Sequence, residues 1–383
     1  MRHWIWRSAA WPELEFDERR LLGPLADARS ELGRLLGKAD AIGALELVSV
    51  ERDLWSGEAL ATAAIEGEQL NLAGVRSSVA RRLGLPVESV VGTPRAVEGL
   101  LDVMQDATLA WNADLTTDRL CRWQAALFPA GGEALRSVVI GRWRPGPDPL
   151  QIVSGPVGRE VVHYEAPPAD RLDDEMRRFV DWFNRSRDEP LDGLLRAGLA
   201  HVWFESIHPF EDGNGRIGRA LVDLALAQDV RRPTRLHGVA AELERRRDAY
   251  YEALNGAQRG DGDVTAWLAW FLEVVAAAAT RSGLVIDVAL TRTQFWADPR
   301  TAGVTERQRK VLNRMLDAGP GGFTGGLTAR KYAAMTGVST VTAWRDIEAL
   351  VQRGLLVSGT AGGRSTYYDL ALPGWGWRSP AAR

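Results

Sequence analysis

Twelve residues near the middle of the chain, HPFEDGNGRIGR from His208 to Arg219, restrict its folding more than any other segment. The pattern on either side is helical: residues 191–207, then 215–228, where Ile217, Leu221 and Leu224 recur at i, i+4 and i+7. Pro209 disfavours helix at His208, and Gly213 and Gly215 admit dihedrals closed to other residues. HPFEDGNG therefore reads as a tight loop between two helices, with Phe210 as the apolar anchor that pins it to a core. The second helix starts at that loop, so its free N–H groups and positive dipole end face whatever the loop holds. Arg216 and Arg219 are three apart on one helical face and carry forked donors suited to phosphate oxygens. Asp212 adds a carboxylate for a cation. His208 adds a group that exchanges a proton near neutral pH. One loop thus gathers the parts of a polyphosphate site.

The remaining chain reads as mainly helical. Helical spacing marks 17–38, where Leu21, Leu22, Leu25, Leu32 and Leu36 recur, and then 45–66, which stops at Gly67, a residue suited to a helix end. Further helices are predicted over 95–113, 117–127, 171–185, 238–254 and from Val264 onward. Trp4, Trp6 and Trp11 open the chain, and their large apolar area is expected to pack against later helices. Between 138 and 168 the pattern changes: LQIVS and EVVHYEA flank GPVGR, predicting a β-hairpin over Leu150–Glu165 within a helical domain. A composition shift near 283–305 suggests a linker or boundary helix. Beyond it, helices at 306–318, 328–335 and 339–353, then short strands near 355–358 and 366–370 joined by TAGGR, follow the order of a winged helix-turn-helix.

Bulk properties narrow the function classes. The chain of 383 residues, 45% apolar and 25% charged, has room for two or three domains, and its net charge of −3 gives no global attraction to nucleic acid or acidic membranes. Cys121 is the single cysteine, which excludes an intrachain disulfide framework and fits a reducing compartment. The start, MRHWIWRSAAW, lacks the apolar run of a signal peptide. The segment Val264–Thr280 is interrupted by Glu273 and is short for a bilayer span, so a core helix, no membrane association and a cytoplasmic location are expected.

These residues carry a resemblance. His208–Arg219 matches in full the HPFx[D/E]GNGRxxR signature of the Fic family, and HVWFESI before it, VVHYEAPPADRL upstream and YYEALN downstream are similar too, over about 45–282. The resemblance implies a mainly α fold: a Fic-type helical core with a β-hairpin flap, here with a C-terminal winged helix-turn-helix. The chain's own pattern sets apart 1–44 (Trp-rich segment), 284–304 (linker), 305–372 (winged helix) and 373–383 (tail), and the resemblance marks 45–283 as catalytic, including an inhibitory helix 45–67. The resemblance also implies transfer of AMP from ATP, with Mg²⁺, to a hydroxyl of a target protein or of the chain itself. His208 would be the general base and Asp212 the Mg²⁺ ligand. Gly213, Asn214 and Gly215 would cradle the α- and β-phosphates. Arg216 would fix loop and phosphates, and Arg219 would bind the γ-phosphate. Glu211 falls at the variable position and is expected to be solvated. The hairpin would align the target as an added strand. Tyr251, Asn255 and Gln258 lie at i, i+4 and i+7 on one helical face that could meet adenosine, with Tyr250 beside them; ordinary helix packing explains these four equally well.

Thr62, Glu66 and Gly67 resemble the [S/T]xxxE[G/N] inhibitory motif that precedes many such cores. Thr62 and Glu66 share a helical face, and Glu66 would pair with Arg219 and occupy the guanidinium needed by the γ-phosphate. The same glutamate could instead position water to remove AMP, and related signatures transfer other phosphate-containing groups. A rival class is a DNA-binding transcriptional or toxin–antitoxin-like regulator acting through the C-terminal unit. Residues 305–370 hold nine Lys/Arg against five Asp/Glu. The candidate recognition helix, however, balances Arg345 and Arg353 against Asp346 and Glu348. Thr340, Thr342, Arg345 and the wing residue Arg364 are the candidate DNA contacts. Homodimerisation or protein docking are the alternatives for that unit.

Overall fold

The computed structural model describes residues 4–86, 94–129, 138–147, 149–154, 159, 161–233, 236–319, 321–359 and 366–375. The chain divides into two compact units, Met1–Gly283 and Leu284–Arg383. The first contains α1 (Glu18–Ala41), α2 (Ala44–Ile65), α3 (Leu72–Arg82), α4 (Arg95–Leu109), α5 (Thr117–Leu127), β1 (Gln151–Ser154), β2 (Val161–Glu165), α6 (Leu172–Arg185), α7 (Gly193–Ile207), α8 (Asn214–Val230), α9 (Val239–Arg245), α10 (Arg247–Gln258) and the first part of α11 (Thr265–Ala297). The mainly helical expectation holds.

α7 is the axis of this unit. Every residue from Leu194 to Ile207 is buried, the polar Arg196, His201, Glu205 and Ser206 included. Such a helix has no solvent face, so each polar side chain must be answered from inside. Arg196 donates to Phe183 O, Ser186 Oγ and Gln228 Oε1. α7 starts at an Asp192 cap that accepts from Leu194 N–H at 2.8 Å. The Asp192 carboxylate also receives Arg29 of α1, whose guanidinium reaches Asp229 of α8 as well. One arginine thus ties three helices.

The aromatic start of the chain packs as expected, though chiefly against the hairpin. Trp4 meets Tyr164 edge-on at 5.5 Å, and Trp6 Nε1–H donates to Glu165 O at 2.6 Å. Trp11 packs edge-on against Trp203 of α7. β1 and β2 pair antiparallel, with Ile152 opposite Tyr164 and a register shift after Ile152. The hairpin tip, 155–158, lies outside the described residues. Residues 4–44 therefore belong to the same compact unit as the hairpin and α7, not to a separate one.

Two expectations along the chain need correction. The helix predicted over 238–254 is two helices, broken at Arg246 (φ −110°, ψ 31°). No glycine or proline marks this break. The buried Glu242 carboxylate collects Arg246, four residues on, and Arg281 of α11, each at 2.7 Å, and this shared pairing accompanies the turn. α3, capped by Asn71 accepting from Gly74 N–H, had not been anticipated. The linker predicted at 284–304 is largely helical, because α11 continues to Ala297 and a 3₁₀ turn follows at Pro299–Thr301. By length and apolar composition alone α11 meets the requirement of a bilayer span. Its Trp267, Leu268, Phe271, Leu272 and Val275 are buried in this unit, with Trp267 stacked on His201.

The second unit contains the remainder of α11, then α12 (Glu306–Asp317), α13 (Ala329–Thr336), α14 (Thr340–Gln352) and an antiparallel pair, β3 (Leu356–Ser358) with β4 (Tyr368–Leu370). A capping box of Thr305 and Gln308 starts α12, Thr328 caps α13 and Ser339 caps α14. The turn between α13 and α14 passes through Gly337 at φ +72°, a conformation that favours glycine. Val311, Leu312, Tyr332, Ile347, Leu350 and Leu356 form the core. Arg364 lies outside the described residues.

Candidate active site

The loop closes against α7 in an unusual backbone conformation. His208 caps α7 with φ 50° and ψ 61°, and its N–H donates to Phe204 O at 2.9 Å. A non-glycine residue in the left-handed region costs free energy and persists where its surroundings hold it. Arg144 does the holding. Its Nε–H donates to His208 O at 2.9 Å, its backbone N–H to Pro209 O at 2.9 Å, and its other guanidinium nitrogen to Pro167 O. Among the described residues its guanidinium partners are carbonyls, and desolvation lowers the Arg144 guanidinium to about 10. Tyr164 Oη–H donates to Ser206 O at 2.7 Å, so the hairpin base is fastened within two residues of His208.

Phe210 is fully buried, 4.9 Å from the Trp143 ring, as an anchor should be. Asn214 turns out to be a second anchor. Its buried side chain accepts from Phe210 N–H at 2.9 Å and donates to Phe210 O at 2.8 Å. That corrects the expectation that its side chain faces phosphate; only its backbone remains for that. Gly213 starts α8 at φ +90°, where a side chain would be strained. Glu211 is exposed but not simply solvated: Oε2 accepts Val139 N–H at 2.9 Å.

Asp212 is exposed, and Oδ1 accepts from Gly213 N–H at 2.6 Å and faces Arg216 Nη2 at 3.4 Å. Arg216 lies over the Phe128 ring and pairs with Glu68 at 2.9 Å. Arg219 is 4% exposed, one turn into α8. Its Nε–H donates to Thr62 Oγ1 at 2.6 Å, and Nη2 donates to Thr62 O at 3.1 Å and to Glu66 Oε1 at 2.7 Å. Burial alone would depress this guanidinium's titration, but the Glu66 carboxylate reverses that and moves it up. Thr62 is buried within α2, whereas Glu66 and Gly67 (φ +82°) form its end. Glu66 Oε1 also occupies the space above Gly215: a methyl group there would overlap it. The carboxylate therefore rests against the first turn of α8.

The helix carrying the proposed adenosine face contributes unevenly. Tyr250 is buried, with Oη 2.9 Å from His201 Nε2, and Gln258 is buried, donating to Glu205 O at 3.1 Å. Those two side chains serve internal packing, which corrects their assignment as nucleotide contacts. Tyr251 and Asn255 remain outward, with Tyr251 Oη–H donating to Ile65 O at 3.3 Å.

Three groups escaped the sequence reading. Arg144 stands far from the loop in sequence and carried no signal. Glu68, two residues beyond Glu66, pairs with the loop's other arginine. Glu205 is 5% exposed, with Oε2 3.6 Å from His208 Nδ1, and its place three residues before His208 on one helix was the available clue. Among the described residues no group of three or more His, Cys, Asp or Glu side chains could hold a metal by itself.

Residues 114–226 match the family model described as Fic/DOC family, and residues 4–85 match one described as a domain of unknown function (DUF4172). Among curated proteins, the chain is 26% identical over 294 residues to protein adenylyltransferase Fic of Nematostella vectensis, covering 76% of this chain and 60% of that protein. It is 26% identical over 267 residues to protein adenylyltransferase fic-1 of Caenorhabditis elegans, covering 67% of this chain and 46% of that protein. The chain thus spans about half the length of the curated relatives it matches. Among solved structures, a Fic family protein from Desulfovibrio desulfuricans G20 is 21% identical, with a TM-score of 0.49, over 93% of this chain and 97% of that one.

Proposed function

For a chain that carries a Fic/DOC domain, we propose that the His208–Arg219 loop moves AMP from ATP to a Ser, Thr or Tyr hydroxyl of a protein, this chain included, and that Glu66 restrains it. The observation that carries this reading is the position of Glu66: an anion already sits on Arg219 and above Gly215, where a phosphate would lie. In the reaction, His208 Nε2 accepts the hydroxyl proton. The hydroxyl oxygen bonds to the α-phosphorus as the bridging bond to the β-phosphate breaks, and pyrophosphate departs. The amides of residues 213–215 and the start of α8 meet the charge that develops on the phosphates. Arg219 takes the terminal phosphate once Glu66 has withdrawn, and Arg216 secures the loop.

Asp212 is the residue that would hold Mg²⁺, which when bound neutralises phosphate charge. Its carboxylate is half exposed and makes its contacts through Oδ1. A single carboxylate suffices, because such ions usually take one or two carboxylates plus substrate phosphates. Tyr251 and Asn255 face the adenosine. The exposed Val153 and Val161 on the hairpin suit an edge that receives a target segment in extended form.

Labelled ATP tests the reading. Label should enter protein from the α-position and not from the γ-position, more in Glu66→Gly than in wild type, and not at all in Glu66→Gly/His208→Ala. Incorporation of γ-label, or none in Glu66→Gly, would overturn it.

A second reading concerns α14. Of the two acids on α14, Asp346 is turned inward, held by Arg307 Nε at 2.6 Å and Tyr332 Oη at 2.9 Å, which leaves the half-buried Glu348 as the one that would oppose a polyanion. The outward face instead shows Thr340, Val341, Trp344 and Arg345. This favours duplex DNA as partner of the C-terminal unit. Full-length protein should then bind random duplex with an affinity that falls steeply with salt. Absence of binding at low salt would assign the face to protein docking.

A further inference from the structure

We propose that Glu205 is the positioning carboxylate of His208, directing the ring's proton to Nδ1 so that Nε2 presents a free lone pair to the target hydroxyl; this deepens the proposed AMP transfer and rests on it.

The site around Glu205 is built for a charged carboxylate. Glu205 lies on the fully buried α7, one turn before His208. Gly218 of α8 leaves room for it, since a methyl group there would overlap Oε1. Glu205 Oε1 and His208 Nδ1 have no hydrogen-bond partner among the described residues, and Oε2 stands 3.6 Å from Nδ1. That separation exceeds a hydrogen bond by a few tenths of an ångström, and catalytic hydrogen bonds often tighten only with substrate present. An unpaired buried acid would normally take up a proton. Here burial is outweighed by His208, His201 and Arg219, and the Glu205 carboxyl is held below its ordinary range.

The surroundings leave this role to Glu205. Arg144 touches His208 only through its carbonyl. His201 is engaged through Nε2 by Tyr250 Oη, while its Nδ1 has no hydrogen-bond partner among the described residues. Arg219 is directed to Thr62 and Glu66. When Nε2 takes the hydroxyl proton, the imidazolium carries a second N–H at Nδ1, which faces the carboxylate; Glu205 itself stays ionised. The left-handed backbone at His208 makes this approach feasible, because it turns the chain back toward the last turn of α7.

The ring nitrogens report the arrangement without any reaction. In ligand-free wild type, imidazole ¹⁵N shifts of neutral His208 should show the proton on Nδ1, and Glu205→Gln should lower the His208 titration midpoint and mix the tautomers. In the Glu66→Gly background, Glu205→Gln should reduce kcat by about 10²–10³, within the usual range for general-base support, with KM for ATP unchanged. The acid limb of its pH–rate profile should move toward lower pH, since the imidazolium loses its counter-charge. A wild-type proton on Nε2, needing no variant to observe, overturns the assignment. So does a Glu205→Gln enzyme with reduced kcat but an unmoved acid limb and unmoved titration, which is the signature of a purely structural acid. Failure of AMP transfer in Glu66→Gly would instead strike the parent reading and leave the ¹⁵N result standing.

Discussion

Replacing Glu66 by glycine removes the anion paired with Arg219, and the effect expected under the proposed restraint can be sized from the contacts. One charge-assisted hydrogen bond of 2.7 Å joins Glu66 to Arg219, and the Glu66 side chain is 29% exposed. Hydrogen bonds to charged groups contribute about 1.5–3 kcal/mol net. At about 1.4 kcal/mol per decade, lifting that competition should raise self-AMPylation by roughly 10–100-fold. Arg219 should stay in place, because Thr62 Oγ1 and Thr62 O still accept from it. The buried guanidinium nevertheless loses its counter-charge, so Glu66→Gly should melt earlier than wild type. ATP should then do what Glu66 did. A saturating ligand at about 100 times its Kd adds about 2.7 kcal/mol, a shift of several degrees for a domain of this size. Wild type, with the place occupied, should shift far less. The assays are α-labelled AMP incorporation and thermal denaturation with and without ATP. Equal incorporation and equal ATP-induced shifts in both proteins would refute the reasoning.

Other consequences follow from neighbouring contacts. Glu68→Ala frees Arg216, but the Glu68 side chain is 45% exposed, so the gain should be only a few-fold, as for surface pairs of about 0.2–1 kcal/mol; an effect matching that of Glu66→Gly in the same incorporation assay would contradict this ranking. Asn214→Ala leaves the buried Phe210 N–H and C=O unanswered, and should cost about 1–3 kcal/mol per group in denaturant unfolding. His237, buried beside Glu58 and Asp223 around a small cavity, has its imidazole pushed down to about 4 by desolvation. Its stabilising contribution is full above the ordinary histidine range and is lost as pH falls toward 4, because the unfolded chain takes the proton first. Glu58, pushed up to about 7 by burial, acts in the opposite sense, its contribution being lost as pH rises through 7. The difference in unfolding free energy between wild type and His237→Gln should therefore shrink between pH 6.5 and 4; a constant difference would rule out a neutral buried imidazole.

Much of the architecture was legible because the helices announce their ends. Asp17, Thr116, Asp192, Thr305, Thr328 and Ser339 all cap as their residue types suggest. The break at Arg246 was not legible, since ELERRRDAY is locally a good helix; what accompanies its interruption is the Glu242 carboxylate, shared between the nearby Arg246 and the distant Arg281. Periodicity grouped Gln258 with Tyr251 and Asn255 and left ligand and packing open for it; the structure packs it against α7. Spacing at i, i+4 and i+7 identifies a face, but not whether α7 or a ligand covers it.

The order of chemical groups in His208–Arg219, the glycine that lets the loop turn into α8, and the pairing of Thr62 with Glu66 on one helical face were determined by the chain itself, since each depends on residues within a few positions of one another. Which groups those side chains meet was decided by tertiary packing. Only the docking of α2 on α8 sets Glu66 above Gly215. Only the return of Arg144 to the loop holds His208 in its left-handed turn, and only the missing Cβ of Gly218 gives Glu205 its place. Distance along a chain fixes local conformation, whereas electrostatic partners are chosen by what burial brings within a few ångströms.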